Sequence, residues 1–168
     1  MDAILKRRSV RKFDLSKRVD DETLKRLCYY AEQAPTARNQ KSRSYVIIND
    51  EAIIKELSTV SEGARVLEGA NSCICVVGND PKGLSTPLMQ SADLAAAVEN
   101  ILIEATALNL GSVWMGMYPM EERMSRAHEI LNLPKDEFVY ALIAIGYPLD
   151  KAALYERRKE AIISFNRR

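Results

Sequence analysis

Residues Met89 to Leu110 read as one long helix, about 33 Å at 1.5 Å per residue. Its apolar side chains do not stay on one stripe: Leu94, Ala97, Val98, Ile101, Leu102, Ala105 and Leu108 spread around it, and Ala95, Ala96 and Ala97 let another helix come close. Such a helix needs neighbours on several sides, as at the centre of a domain or of a dimer. Glu99, Asn100, Glu104, Thr106 and Asn109 interrupt it, and no apolar leader follows Met1, so neither a membrane span nor a secretion signal is expected. Gly111 stands where a C-terminal stop belongs. At 168 residues the chain has the length of one compact domain, residues 1–168, able to bury a core without metals or disulfides.

The remaining elements mix helices and strands without the regular alternation of a doubly wound sheet, which predicts an α+β fold. Asp2 to Arg8 reads as a short helix and Ser9 to Phe13 as extended. Asp20 caps a helix carrying Leu24, Leu27, Cys28 and Ala31 on one face, ended by Pro35. Residues 44–49, 72–78, 112–117 and 138–145 read as strands, 51–60 and 121–131 as helices, and 62–68 and 82–87 as loops. The tail from Lys151 has too few apolar residues for a core of its own, so 150–168 should pack on something else, such as a partner subunit.

Three cysteines, Cys28, Cys73 and Cys75, are odd in number and do not space like metal ligands, which favours a reducing, cytoplasmic compartment. Cys73 and Cys75 alternate within an apolar run and should share one strand face as small buried hydrophobes. The net charge of +1 hides an asymmetry: seven Lys/Arg against two acids over 1–18, six against two over 151–168, and eleven against nineteen between. Two basic ends on an acidic body could be solvated tails, a nucleic-acid surface or two halves of one anion site.

The only histidine, His128, sits in a helix of mixed charge, so a His-based triad or a His-rich metal site is not expected. There is no GxSxG elbow, GxxxxGK[ST] loop or GxGxxG fingerprint. If the chain is an enzyme, a bound cofactor should carry the hard chemistry.

Three segments can serve such a group. Arg7-Arg8-Ser9-Val10-Arg11 offers guanidinium forks and a hydroxyl to an anion, although a charge run is also an ordinary solvated face. Ala34-Pro35-Thr36-Ala37-Arg38-Asn39-Gln40 offers hydroxyl and amide groups at a turn, or is a plain capped loop. In Gly111-Ser112-Val113-Trp114-Met115-Gly116, a glycine in a bulky strand suggests close approach of a ligand or backbone at Gly116, while Trp114 reads equally as core.

In order along nearly the whole chain, these segments resemble the nitroreductase family: an RRSxR opening followed by Phe13, an AP[ST]AxN element, a long Ala-rich helix ending in LG, a GSVWMG-like strand and a closing GYP. The tail YERRKEAIISFNRR is similar to the RYDxxKVHYNRW ending of small members.

The resemblance implies a three-layer α-β-α sandwich with a mixed, mainly antiparallel sheet, dimeric with exchanged C-terminal tails, and binding FMN at the homodimer interface. It implies that Arg7, Arg8 and Ser9 hold the phosphate and ribityl end and that Arg11 lies near the flavin N1 and O2 edge, tuning the ring. Pro35, Thr36 and Asn39 would reach the same FMN from the other subunit, and Lys41 would count among the cofactor-binding residues. Met115 and Gly116 would present backbone groups near N5 and O4, and Arg157, with Arg158, would return to the phosphate. No protein nucleophile is implied. Where many relatives read Asn-x-Gln-Pro-Trp-x-Phe, this chain has Asn39-Gln40-Lys41-Ser42-Arg43-Ser44-Tyr45, and the family's terminal His and Trp are Ser164 and Arg168.

The resulting expectation is an FMN-dependent oxidoreductase that passes electrons from NAD(P)H to a nitroaromatic, quinone or similar conjugated acceptor with ping-pong kinetics. The altered Lys41-Ser42-Arg43 stretch raises a second reading, a flavin-binding sensor or carrier with little turnover. A nucleic-acid module has poor support, because the body is acidic and no binding motif appears.

Overall fold

The computed structural model describes residues 3–150, 154–156 and 160–167. Four strands, β1 (Arg43–Ile48), β2 (Ser72–Gly78), β3 (Gly111–Gly116) and β4 (Phe138–Gly146), form one sheet in the order β1-β2-β4-β3. Every neighbouring pair is antiparallel, and the parallel component is confined to a bridge between Ser9 and Ser112. The two central strands are buried along nearly their whole length, as their unbroken apolar runs require.

Helices cover both faces. Of α1 (Ala3–Lys6), α2 (Asp21–Glu32), α3 (Glu51–Leu57), α4 (Gln90–Ala107) and α5 (Glu121–Leu131), α2 and α4 pack on Ile74, Val76, Ile143 and Ile145. On the other face α3, α5 and a 3₁₀ stretch at Glu62–Gly69 pack on Cys73, Cys75, Leu142 and Ala144. The result is the expected α+β arrangement of three layers. Asp20 and Asp50 cap α2 and α3 by accepting backbone N–H groups of the first turn. Cys73 and Cys75 do share one fully buried face, and burial pushes the Cys73 thiol up to about 12. In one copy α4 buries a single broad face, along Leu94, Ala97, Val98, Ile101 and Ala105, rather than several sides.

The strands β1 and β3 begin and end one residue earlier than expected and α3 stops at Leu57 rather than at residue 60; three further differences have a physical reason. The first helix stops at Lys6, because the following residues are needed as an extended segment along the sheet. The long helix is closed by Asn109, at φ 59°, with Leu110 N–H donating to Ala105 O at 2.8 Å, so Gly111 opens β3 rather than ending the helix. Residues 62–69, expected as loop, wind into a 3₁₀ stretch that buries Ala64 and Leu67.

Candidate functional site

The segment carrying Arg7 to Phe13 is fixed at two points. Val10 N–H donates to Ser112 O at 2.9 Å, and its side chain fills the space left by Gly111, where a β-carbon would stand 2.7 Å from Val10 Cγ1. Phe13 lies against Gly146 in the same manner, and Asp14 N–H donates to Tyr147 O. The glycines of the GSVWMG and GYP segments are therefore notches that seat the arginine-rich segment beside β3.

The arginines so placed differ in their surroundings. Arg7 pairs with Glu99 of α4 at 3.1 Å, and Arg11 is exposed, its Nη1 donating to Ser9 O. Arg8 donates from Nη1 to Leu5 O and Arg7 O, whereas its Nε and Nη2 are buried and find no partner among the described residues. Such unmet donors on a charged group cost about 1–3 kcal/mol or more, and an anion removes that cost. Ser112 Oγ, on the strand bridged to Ser9, is likewise buried without a partner. Tyr155 lies over the Arg8 guanidinium at 4.6 Å, so the tail passes beside Arg8 two residues before Arg157. Arg157 and Arg158 themselves lie outside the described residues.

Along β3, Ser112 O faces outward to accept from Val10, while Met117 N–H faces inward to Tyr140 O. Strand alternation then points the backbone groups of Trp114 and Gly116 to the open edge and those of Met115 toward β4. The Met115 side chain is buried in the core and its backbone groups face β4, whereas the Gly116 backbone faces the open edge. At Gly116 a β-carbon would meet nothing closer than Tyr118 O at 3.9 Å, which leaves a bare step on the strand. Trp114 is partly exposed, its ring 6.1 Å from that of Tyr140, which stacks in turn on Tyr118 at 5.7 Å. Tyr140 sits at a bulge opposite Val76 and Val77, and its carbonyl accepts from both Met117 and Tyr118. These aromatic neighbours were not among the expected site residues, because a bulge leaves no mark in hydropathy.

The turn bearing Pro35, Thr36, Asn39 and Lys41 precedes β1, at the opposite edge of the sheet from β3. Three strand spacings, about 14 Å, separate the two edges. Both segments also touch α4, the turn through Asp93 and the arginine segment through the Arg7–Glu99 pair. Arg38 and Asn39 adopt left-handed conformations at φ 52° and 53° and are exposed, as are Pro35 and Lys41.

The chain matches the model of the Nitroreductase family over residues 4–64 and 60–147. It belongs to the nitroreductase family. A relative from Archaeoglobus fulgidus, provisionally named NADH dehydrogenase/NAD(P)H nitroreductase, is 36% identical over 154 residues, 91% of this chain and 87% of that one. Among solved structures, a provisionally named NADH oxidase of Clostridium acetobutylicum superposes with a TM-score of 0.88 at 35% identity, covering 95% of each chain. A provisionally named NADH dehydrogenase/NAD(P)H nitroreductase of Bacteroides thetaiotaomicron gives a TM-score of 0.88 at 28% identity over 99% and 96% of the two chains.

In this nitroreductase the replaced family positions do not crowd the site. Arg43 is buried and turned inward, its guanidinium donating to Glu32 O, Ala34 O and Asp93 O and pairing with Glu32 at 3.2 Å. A cation at the C-terminal end of α2 satisfies carbonyls that have no partner within the helix. Ser42 is buried and Lys41 points to solvent. His128, on α5, donates to Pro134 O and takes no part in the site. A surface hollow lined by Leu15, Asn49, Ile54, Lys55 and Asn71 lies under α3, away from all of these residues. The candidate site is thus an open shelf along β3 and the arginine segment. No helix among the described residues is long and apolar enough to cross a membrane.

Proposed function

We propose that this nitroreductase-family oxidoreductase binds FMN and passes electrons from NAD(P)H to a small conjugated acceptor, a nitroaromatic or a quinone, as a cytoplasmic homodimer. The observation that carries the reading is the pair of buried Arg8 nitrogens, unpartnered among the described residues, on the residue before Ser9, whose backbone bridges to Ser112. A dianionic phosphate suits donors of that kind. When bound, FMN supplies the two-electron transfer between nicotinamide and acceptor.

The chain's own residues bind and orient. Arg8, with Arg7, Ser9 and the tail residues Arg157 and Arg158, would hold the phosphate and ribityl end. Arg11 would place positive charge beside the ring, and Gly116 would offer an outward backbone group at a step where no side chain intrudes. The second copy would contribute Pro35, Thr36 and Asn39, with Lys41 near them, from the turn before β1 at the sheet edge opposite β3. Ile162, Ile163 and Phe165 are 86%, 72% and 88% exposed in a single copy, which favours a tail laid on a partner subunit. Nicotinamide and acceptor would use the same open face in turn, hence ping-pong kinetics. Turnover is favoured over a sensor or carrier role because Arg43 is folded away and leaves that face open.

Purified protein should be yellow, or become so with FMN, and NADH or NADPH should bleach the flavin band without oxygen. Colourless protein that takes up no FMN overturns the reading. A flavin band untouched by either nucleotide leaves the sensor role instead.

A further inference from the structure

Asp93 is the one buried acidic side chain among the described residues, set on the first turn of α4 at 5% exposure. Burying a carboxylate is costly unless each oxygen is met by a donor. Here one oxygen accepts the Ala37 N–H at 2.9 Å and the other accepts Gln40 Nε2 at 2.8 Å. Gln40 is buried as well, and its Oε1 accepts the N–H and hydroxyl of Thr86 at 2.9 and 3.0 Å. The two contacts on Asp93 bracket Arg38 and Asn39, the consecutive left-handed residues. That conformation is unfavourable for residues with a β-carbon and persists where surrounding bonds impose it.

We infer that Asp93 and Gln40 are positioning residues that hold the 36–40 turn in the shape needed to present Thr36 and Asn39 to the cofactor of the facing subunit. Neither touches the cofactor; they act through the turn. The inference rests on the FMN reading above. Local geometry favours this role over general support of the core, because the residues they brace, Arg38 and Asn39, are exposed and carry no packing of their own. Gln40 also ties the turn to the Ser85–Thr86 loop ahead of α4, so both segments should loosen together.

An exchange of the two functional groups tests this on the full-length protein with FMN as the probe. In D93N an amide nitrogen faces a donor, and in Q40E two carboxylates meet. Each should raise the FMN dissociation constant about tenfold or more, while activity at saturating FMN stays within about threefold of wild type. In D93N/Q40E the new amide can accept from Ala37 and donate to the new carboxylate, whose second oxygen still accepts from Thr86 N–H; the longer bond from Gln40 Nε2 to Thr86 O, 3.2 Å, is the one contact not restored. Affinity should then return to within about threefold of wild type, a strong departure from additivity. If D93N proves insoluble, Q40M, which removes the clamp without adding charge, should show the same loss. Single variants that bind FMN as tightly as wild type, or a double variant whose losses simply add, overturn the inference and leave the proposed function standing. Wild-type protein that takes up no FMN overturns both.

Discussion

Val10 occupies the place that a side chain at position 111 would need, its Cγ1 standing 2.7 Å from where a Gly111 β-carbon would lie. The contact locks the arginine segment to β3, so packing and the proposed cofactor binding would share one joint. Gly111→Ala should overpack it at a cost of about 1–3 kcal/mol, lowering the thermal midpoint and weakening FMN uptake together. Differential scanning fluorimetry with and without FMN checks this; an unchanged midpoint would mean that the segment moves aside freely.

Arg8 makes the opposite trade. Its buried Nε and Nη2 have no partner among the described residues, so Arg8→Met should leave the flavin-free protein as stable as wild type or slightly more so. FMN affinity should nevertheless fall at least about tenfold. Arg8→Lys should not restore it, since one ammonium cannot reproduce the fork. Titration calorimetry beside chemical denaturation separates the two effects.

Gly116 distinguishes a ligand step from a structural need. A β-carbon there meets nothing closer than 3.9 Å, so Gly116→Val should change flavin-free stability by no more than about 0.5 kcal/mol. It should abolish flavin loading, read as loss of the visible band. A variant that loads normally would place the cofactor elsewhere.

The buried thiols set an alkaline limit. Cys73 is pushed up to about 12 from 9.0 by burial, and Cys75 is raised for the same reason. A raised folded value means that the protonated thiol is favoured in the fold, so this contribution is full below pH 9 and is lost as pH rises toward 12. Stability should decline across that window, and Cys73→Ala/Cys75→Ala should flatten the decline. At pH 8 both thiols should resist Ellman's reagent until the chain is unfolded.

Much of this fold was legible in the sequence because its signals are local. The run Ser72–Gly78 announces a strand buried on both faces, and the Asp20 cap and the 3–4 spacing of Leu24, Leu27 and Ala31 announce α2. Gly111 was misread because two residues compete for the helix stop, and Asn109 takes the left-handed position while Val10, a hundred residues away, claims the glycine. The Gln40–Asp93 bond spans 53 positions and leaves only one trace, an acid on the apolar side of a helix. Arg43 looked like a change in the ligand pocket; only tertiary placement shows it serving the end of α2. The arginine cluster was visible as a motif, but which of its nitrogens lack partners is a property of the fold.

Beyond the bridge at Ser9, the outer edge of β3 carries the backbone of Trp114 and Gly116, unpaired among the described residues. An uncovered strand edge is a template for joining to another molecule. If FMN covers that rim, as proposed, copies made faster than the nucleotide becomes available would pair along it, and the yield of soluble protein in a host should follow its riboflavin supply.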